Sequence, residues 1–216
     1  MRITRLGHAV VYVEGKKRVI TDPRFSGNPV IAKKANEVDP DIILISHDHG
    51  DHGLEDAKIH VGRTRKNAKV VAIYELSLDF GKRGIGGNIG GTVDADGLKV
   101  SFTPALHSSS RAVPVGFIVH DETPYYFAGD TGIFKDMELY AKIFKPKLGI
   151  LPVGGRFTMD PEEASIAAEM MNLEMVLPIH YNTFPVIKQD EEKIKEAFKS
   201  RGIEVLLLKP GESAEI

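Results

Sequence analysis

Ile42-Ile43-Leu44-Ile45-Ser46-His47-Asp48-His49-Gly50-Asp51-His52-Gly53-Leu54 is the stretch on which the reading of the whole chain turns. The apolar run Ile42–Ile45 has the look of a buried strand, so the histidines and Asp51 leave its C-terminal end, where the backbone must turn. Three imidazoles and two carboxylates within residues 47–52 are a poor way to fill a core. They are the donors that hold divalent ions such as zinc or manganese, and their spacing lets two ligand sets point in two directions.

Working outward, the chain has 216 residues, enough for one domain with a sizeable core, and residues 1–216 are read as one unit. Its 28 basic and 30 acidic residues leave a net charge of −2, which gives no broad electrostatic footprint for nucleic acid. The basic clusters Lys16-Lys17-Arg18 and Arg63-Thr64-Arg65-Lys66 are short and are read as solvated turns and faces. Cysteine is absent, so neither a disulfide framework nor a thiolate site is available. Met1–Leu6 lacks the apolar core of a signal peptide and no run approaches membrane-spanning length, so a cytoplasmic location without membrane contact is expected.

Short β-prone runs open the chain at Ile3–Leu6, Val10–Val13 and Arg18–Thr21, with Gly7-His8-Ala9 between the first two. Residues 23–40, rich in Pro, Gly and Asn, read as a long surface loop in reach of the site. Val70–Ile73 reads as a buried strand, residues 74–83 as a helix, and Gly84–Gly91 as a tight turn, because no Walker lysine follows the glycines. Strands are expected at Leu98–Thr103, Val113–Val119 and Tyr125–Ala128. From there strands at Leu148–Val153, Met175–Ile179 and Val205–Leu208 alternate with helices. The helices are marked by the apolar face Ile133 to Phe144, by the start signal Asp160-Pro161-Glu162-Glu163, and by Ile194 to Arg201. Two sheets packed face to face with helices outside would bury all of these stripes.

Paired cations need more ligands than residues 47–52 supply. Ligands of one site should leave neighbouring strands along one edge. His107, Asp130 and His180 each stand just past an apolar strand, as His47 does. A lone histidine there would ordinarily be a hydrogen-bonded pocket residue; jointly with residues 47–52, the three are assigned as ligands.

The pattern His-x-His-x-Asp-His, with His107, Asp130 and His180 beyond it, resembles the signature of the metallo-β-lactamase-fold hydrolases. That resemblance implies an α/β, four-layer αββα sandwich. It implies one cation on His47, His49 and His107, a second on Asp51, His52 and His180, and Asp130 bridging them. Gly7-His8-Ala9, Thr21-Asp22-Pro23, Asn88–Thr92, Gly129–Gly132, Pro152–Gly155 and His180–Pro185 look like a poorly characterised group similar to the ascorbate-6-phosphate lactonases. His49 is not replaced by Glu, which speaks against the flavodiiron type. No insertion is long enough for an RNA-cleaving β-CASP domain, and no helical extension follows residue 208.

The expected chemistry is hydrolysis of a small ester-like molecule, a lactone or a phosphoester. The cations lower the pKa of a water from 15.7 toward ~7, while Asp51 and Asp130 hold or orient that water. Zinc is the first expectation for both ions, with manganese, iron or nickel as alternatives. His8, Arg156, Tyr181 and Asn182 are the candidate substrate contacts, with Ser108–Arg111 and Thr183 beside them; for His8, a role supporting a ligand weighs equally. Asp22 is expected to hydrogen-bond the ligand loop or a ligand histidine, Asp48 to be structural, and His60 and His120 to be surface residues. A serine hydrolase is excluded, because no Gly-x-Ser-x-Gly occurs. The competing readings are a nucleic-acid phosphodiesterase, which lacks charge support, and a non-catalytic metal-binding module, against which an open His and Asp ligand set speaks. A homo-oligomer is compatible with the sequence.

Overall fold

A computed structural model describes residues 1–63 and 68–216, so Thr64, Arg65 and Lys66 of the second basic cluster lie outside the described residues. The first sheet begins as an antiparallel meander of β1 (Arg2–Gly7), β2 (Val10–Glu14) and β3 (Arg18–Thr21), in which Ile3 faces Val13 and Tyr12 faces Ile20. It continues in parallel through β4 (Ile42–Ile45), β5 (Lys69–Ile73) and β6 (Gly84–Gly87). All four residues of β4 are buried, as the unbroken apolar run requires of a central parallel strand covered on both faces.

The second sheet mirrors this plan. Antiparallel strands β7 (Thr92–Ala95), β8 (Leu98–Pro104), β9 (Val115–Val119) and β10 (Tyr125–Phe127) lead into parallel β11 (Leu148–Pro152), β12 (Met175–Ile179) and β13 (Glu204–Val205). A last strand, β14 (Ser213–Glu215), returns to the first sheet beside β1. Among the described residues, each sheet has seven strands.

Strand alternation decides which residue serves which layer. Tyr125 and Phe127 point into the cluster between the sheets, with Ile3, Val19, Ile42, Phe102 and Leu177. Tyr126, Ile118, Leu151 and Val176 point the other way. They meet the helices α3 (Met137–Phe144), α4 (Pro161–Met170) and α5 (Glu191–Lys199) through Met137, Ala164, Ala168, Ile194 and Phe198. On the far side, α1 (Leu54–Arg63) and the short α2 (Tyr74–Ser77) cover the first sheet with Leu54, Ala57 and Leu76. The result is the expected αββα order of layers. No helix among the described residues is long and apolar enough to cross a membrane.

Several segments depart from the sequence expectation. Residues 74–83 form α2 and then a 3-10 stretch broken at Gly81, whose φ of 53° and ψ of −127° no helix accepts. The glycines at 84–87 are a strand rather than a turn. They are small because the neighbours are close: a Cβ on Gly87 would stand 2.3 Å from the Phe102 ring. Helix α1, β7 and β14 lack a clear apolar period and were not expected. The last helix-to-strand passage yields only Glu204–Val205, where a strand to Leu208 was expected. His60 is not a surface residue. It is 3 % exposed and stacks on Phe25 at 5.9 Å between ring centres. His120 is half-buried, with Nε2 2.8 Å from Ser101 Oγ. The capping signal at Asp160 holds: its carboxylate accepts from Glu163 N at 2.9 Å, and Glu163 Oε2 accepts from Asp160 N at 3.1 Å.

Gly53 ends the loop that follows β4 and is the tightest point near it. Its φ is +73°, and a Cβ there would lie 2.4 Å from the backbone N of Arg24. Gly53→Ala is therefore expected to destabilise the fold by more than ~1 kcal/mol. A urea midpoint shifted down at unchanged slope is the expected reading; an unmoved midpoint refutes this account of the loop.

Candidate metal centre

Because β1 and β3 are parallel to each other and to β4, their C-terminal ends share one edge. His8 follows β1, Asp22 follows β3 and residues 47–52 follow β4. From the second sheet, His107 comes after β8, Asp130 after β10 and His180 after β12. All of them converge.

The convergence has two halves. His47, His49 and His107 bring nitrogens within 4.8 Å of one another. Their rings stand nearly perpendicular, His47 to His107 at 82° and His49 to His107 at 81°. His8, Asp51, His52 and His180 form a second group within the same limit. Asp130 lies between: its Oδ2 is 3.2 Å from His52 Nε2, 3.1 Å from His180 Nε2 and 3.6 Å from His107 Nε2. One carboxylate oxygen thus faces both halves.

Hydrogen bonds decide which nitrogen of each ring is presented. Ser46 Oγ donates to Asp22 Oδ2 at 2.6 Å, so it accepts from His47 Nδ1 at 2.9 Å, and His47 Nε2 keeps a lone pair toward the site. His52 Nδ1 donates to the same Asp22 oxygen at 2.6 Å, leaving His52 Nε2 inward. Asp22 Oδ1 accepts from Ser46 N at 2.8 Å. This is the ligand-orienting role expected of Asp22, so its close grouping with His47 and His52 is a support and not a third site.

The donors fit a divalent cation. His52 Nε2, His180 Nε2 and Asp130 Oδ1 are buried without a hydrogen-bond partner among the described residues, although Asp130 Oδ2 is close by. Their directions fail hydrogen-bond geometry while their positions suit a shared ion. A donor set of imidazole and carboxylate without thiolate suits zinc, manganese, iron or nickel.

Charge in this cluster is strongly biased. Burial lowers His47 to about 2 and His8 to about 4, so both rings are neutral at pH 7. Burial also lowers His107. For His180 burial acts downward, but Asp130 and then Asp51 outweigh it and raise the ring to about 9. His52 behaves alike: burial opposes, yet Asp130 and Asp22 hold it well above the usual value. Asp130 and Asp51 are pushed up by burial and drawn below the ordinary range by the surrounding histidines. Without cations, His52 and His180 thus stand protonated against ionised Asp51 and Asp130.

The candidate substrate contacts fare unevenly. His8 is fully buried between Thr183 and Asp51. Tyr181 is corrected: it is 1 % exposed, packed in the outer core, with the Arg5 guanidinium 4.5 Å above its ring. Asn182 is exposed, but its Oδ1 accepts from Gln189 N at 2.8 Å. It lines a shallow cavity of about 320 Å³ with Thr183, Phe184, Pro185 and Lys188. Arg156 is exposed, with its guanidinium 5.4 Å from the Phe157 ring centre. Arg111 is engaged by Asp79 through bonds of 2.6 and 2.8 Å. Asp48 is structural, accepting from Ser109 Oγ and from Ser110 N. The sequence reading missed Ser46 and named Gly154 only within the segment Pro152–Gly155, with no role of its own. Ser46 carried a signal, a hydroxyl between a buried strand and the first ligand. Gly154 must be glycine because a Cβ would lie 2.2 Å from the His180 carbonyl oxygen.

Comparison with known proteins agrees with this geometry. A family profile described as a beta-lactamase superfamily domain matches residues 2–180. A UPF0173 metal-dependent hydrolase of Korarchaeum cryptofilum is 45 % identical, with both chains covered in full. Another, from Thermococcus kodakarensis, is 42 % identical, again over the whole of both chains. Among solved structures, a metallo hydrolase from the hyperthermophilic archaeon Ignicoccus hospitalis superposes with a TM-score of 0.90 at 36 % identity, covering 99 % of this chain and 97 % of its own.

Two outcomes are expected of the centre. Asp22→Asn weakens cation binding by ~10–100-fold, read by competition with a chromophoric chelator; unchanged affinity refutes the orienting role. Loading the cation-free protein at pH 7 releases protons, since His180 titrates at about 9 and must lose its proton to ligate. His52, held protonated as well, must also release its proton, so apparent affinity rises as the pH is raised above 7. Calorimetry in buffers of different ionisation enthalpy reads that release; heats that do not depend on the buffer contradict it. By fold, ligand geometry and relatedness, the chain belongs to the beta-lactamase superfamily, among its UPF0173 metal-dependent hydrolases.

Proposed function

We propose that this protein hydrolyses a small ester-like molecule, a lactone or a phosphoester, at a pair of divalent cations, zinc in the first instance. His47, His49 and His107 would hold one cation, Asp51, His52 and His180 the other, and Asp130 would face both. The observation that carries the reading is the position of Asp130 Oδ2, within 3.1–3.6 Å of imidazoles from both groups. When bound, the cations supply Lewis acidity, activating a water and polarising the substrate's acyl or phosphoryl oxygen.

The remaining chemistry belongs to the chain. His47 and His52 are locked by Ser46 and Asp22, so their inward nitrogens do not reorganise during reaction. Asp51 is the most open acid of the cluster, with 31 % of its side chain exposed against 3 % for Asp130. It would hold or orient the activated water from the open side, while Asp130, also ionised, faces the site from inside. The near-neutral overall charge favours a small substrate over a polyanion. A lactone or phosphoester rests on resemblance to the lactonase-like group.

The test is a panel of lactones, phosphomonoesters and phosphodiesters, assayed with zinc or manganese and after chelation. Asp130→Asn and His49→Ala are expected to cut turnover by on the order of 10²-fold or more. Full turnover in Asp130→Asn, or activity that survives complete chelation, would overturn the proposal.

A further inference from the structure

His8 lies outside the ligand pattern that the sequence suggested, yet it touches two of that pattern's members. Its Nε2 is 3.3 Å from Asp51 Oδ2 and its Nδ1 is 3.0 Å from Thr183 Oγ1. Its backbone carbonyl accepts from His180 N at 3.2 Å, and the two rings lie 4.3 Å apart. Both residues have left-handed backbones, φ 56° at His8 and 54° at His180. Two sharp turns from different sheets are thus joined back to back. The adjoining Gly7 is pinned as well, since a Cβ there would stand 2.9 Å from the Val30 carbonyl oxygen.

The direction of the side-chain bonds follows from valence. An ionised carboxylate only accepts, so His8 Nε2 carries the hydrogen toward Asp51. A neutral imidazole then has a bare Nδ1, which accepts from the Thr183 hydroxyl. The chain of donors runs Thr183 to His8 to Asp51. The first group is supported differently, His47 being fixed by Ser46. Fully buried, His8 offers no face to a substrate.

We infer that His8, oriented by Thr183, is a positioning residue that builds the second cation subsite, holding Asp51 by its ring and His180 by its carbonyl. This rests on the two-cation reading given above. The competing account is that His8 merely occupies a turn. Asn accepts the same left-handed backbone and keeps the carbonyl, so His8→Asn removes the ring and spares the turn. Thr183→Val removes only the hydroxyl, and Thr183→Ser returns it.

The experiment is stepwise zinc titration of the cation-free protein against a chromophoric chelator, with bound zinc counted per chain and folding followed by circular dichroism. Wild type is expected to take two ions. Thr183→Val should weaken the second by ~10-fold and His8→Asn by ~100-fold, with the first unchanged and Thr183→Ser restoring the second. Equal losses at both ions, or unchanged affinities in folded variants, would overturn the inference and leave the two-cation reading standing. A wild type that binds fewer than two ions would overturn both.

Discussion

The buried carboxylate of Asp22 is the constraint from which the site is built. A charge with no exposed surface is tolerated only if it is fully engaged, and Asp22 accepts from Ser46 N, Ser46 Oγ and His52 Nδ1. Those three donors fix where the chain leaves β4, which ring atom of His52 faces inward and, through Ser46, which atom of His47 does. The residue sits at φ 35°, a strained backbone that this network holds in place. Remove the acceptor and the ligand loop loses its frame.

The sheets supply the second constraint. Parallel strands release their side chains at one edge, so residues from 8 to 180 can share a volume a few ångströms across. Helices on both outer faces keep the edge free, because their apolar stripes are satisfied by the sheets.

Much of this was legible in sequence. Ile42–Ile45 and Met175–Ile179 announce themselves as strands because they are buried on both faces and so carry no polar alternation. Histidines and carboxylates stacked just past such runs pack poorly as core, so their convergence at one edge was legible as well. Contacts made through small or polar groups were not. The approach of Gly87 to Phe102 and of Gly154 to His180 depends on tertiary distance, which no local pattern encodes. Tyr181 adjoins His180 in sequence, yet beyond the left-handed turn at His180 it packs into the outer core. His60 sits among polar neighbours on α1, and only the packing of Phe25 reveals it as buried. Adjacency in sequence is a weak guide to which face a residue presents.

Ser46 has one more property. Its amide and hydroxyl bind Asp22 in the first sheet, and its carbonyl accepts from Val115 N of the second at 3.0 Å. Its Cβ rests where any side chain on Gly129, next to Asp130, would collide at 2.7 Å. A single small residue thereby seams the two halves of the sandwich at the place where the ligands meet. Parting the halves at Ser46 would therefore also part the histidines and carboxylates that converge beside it.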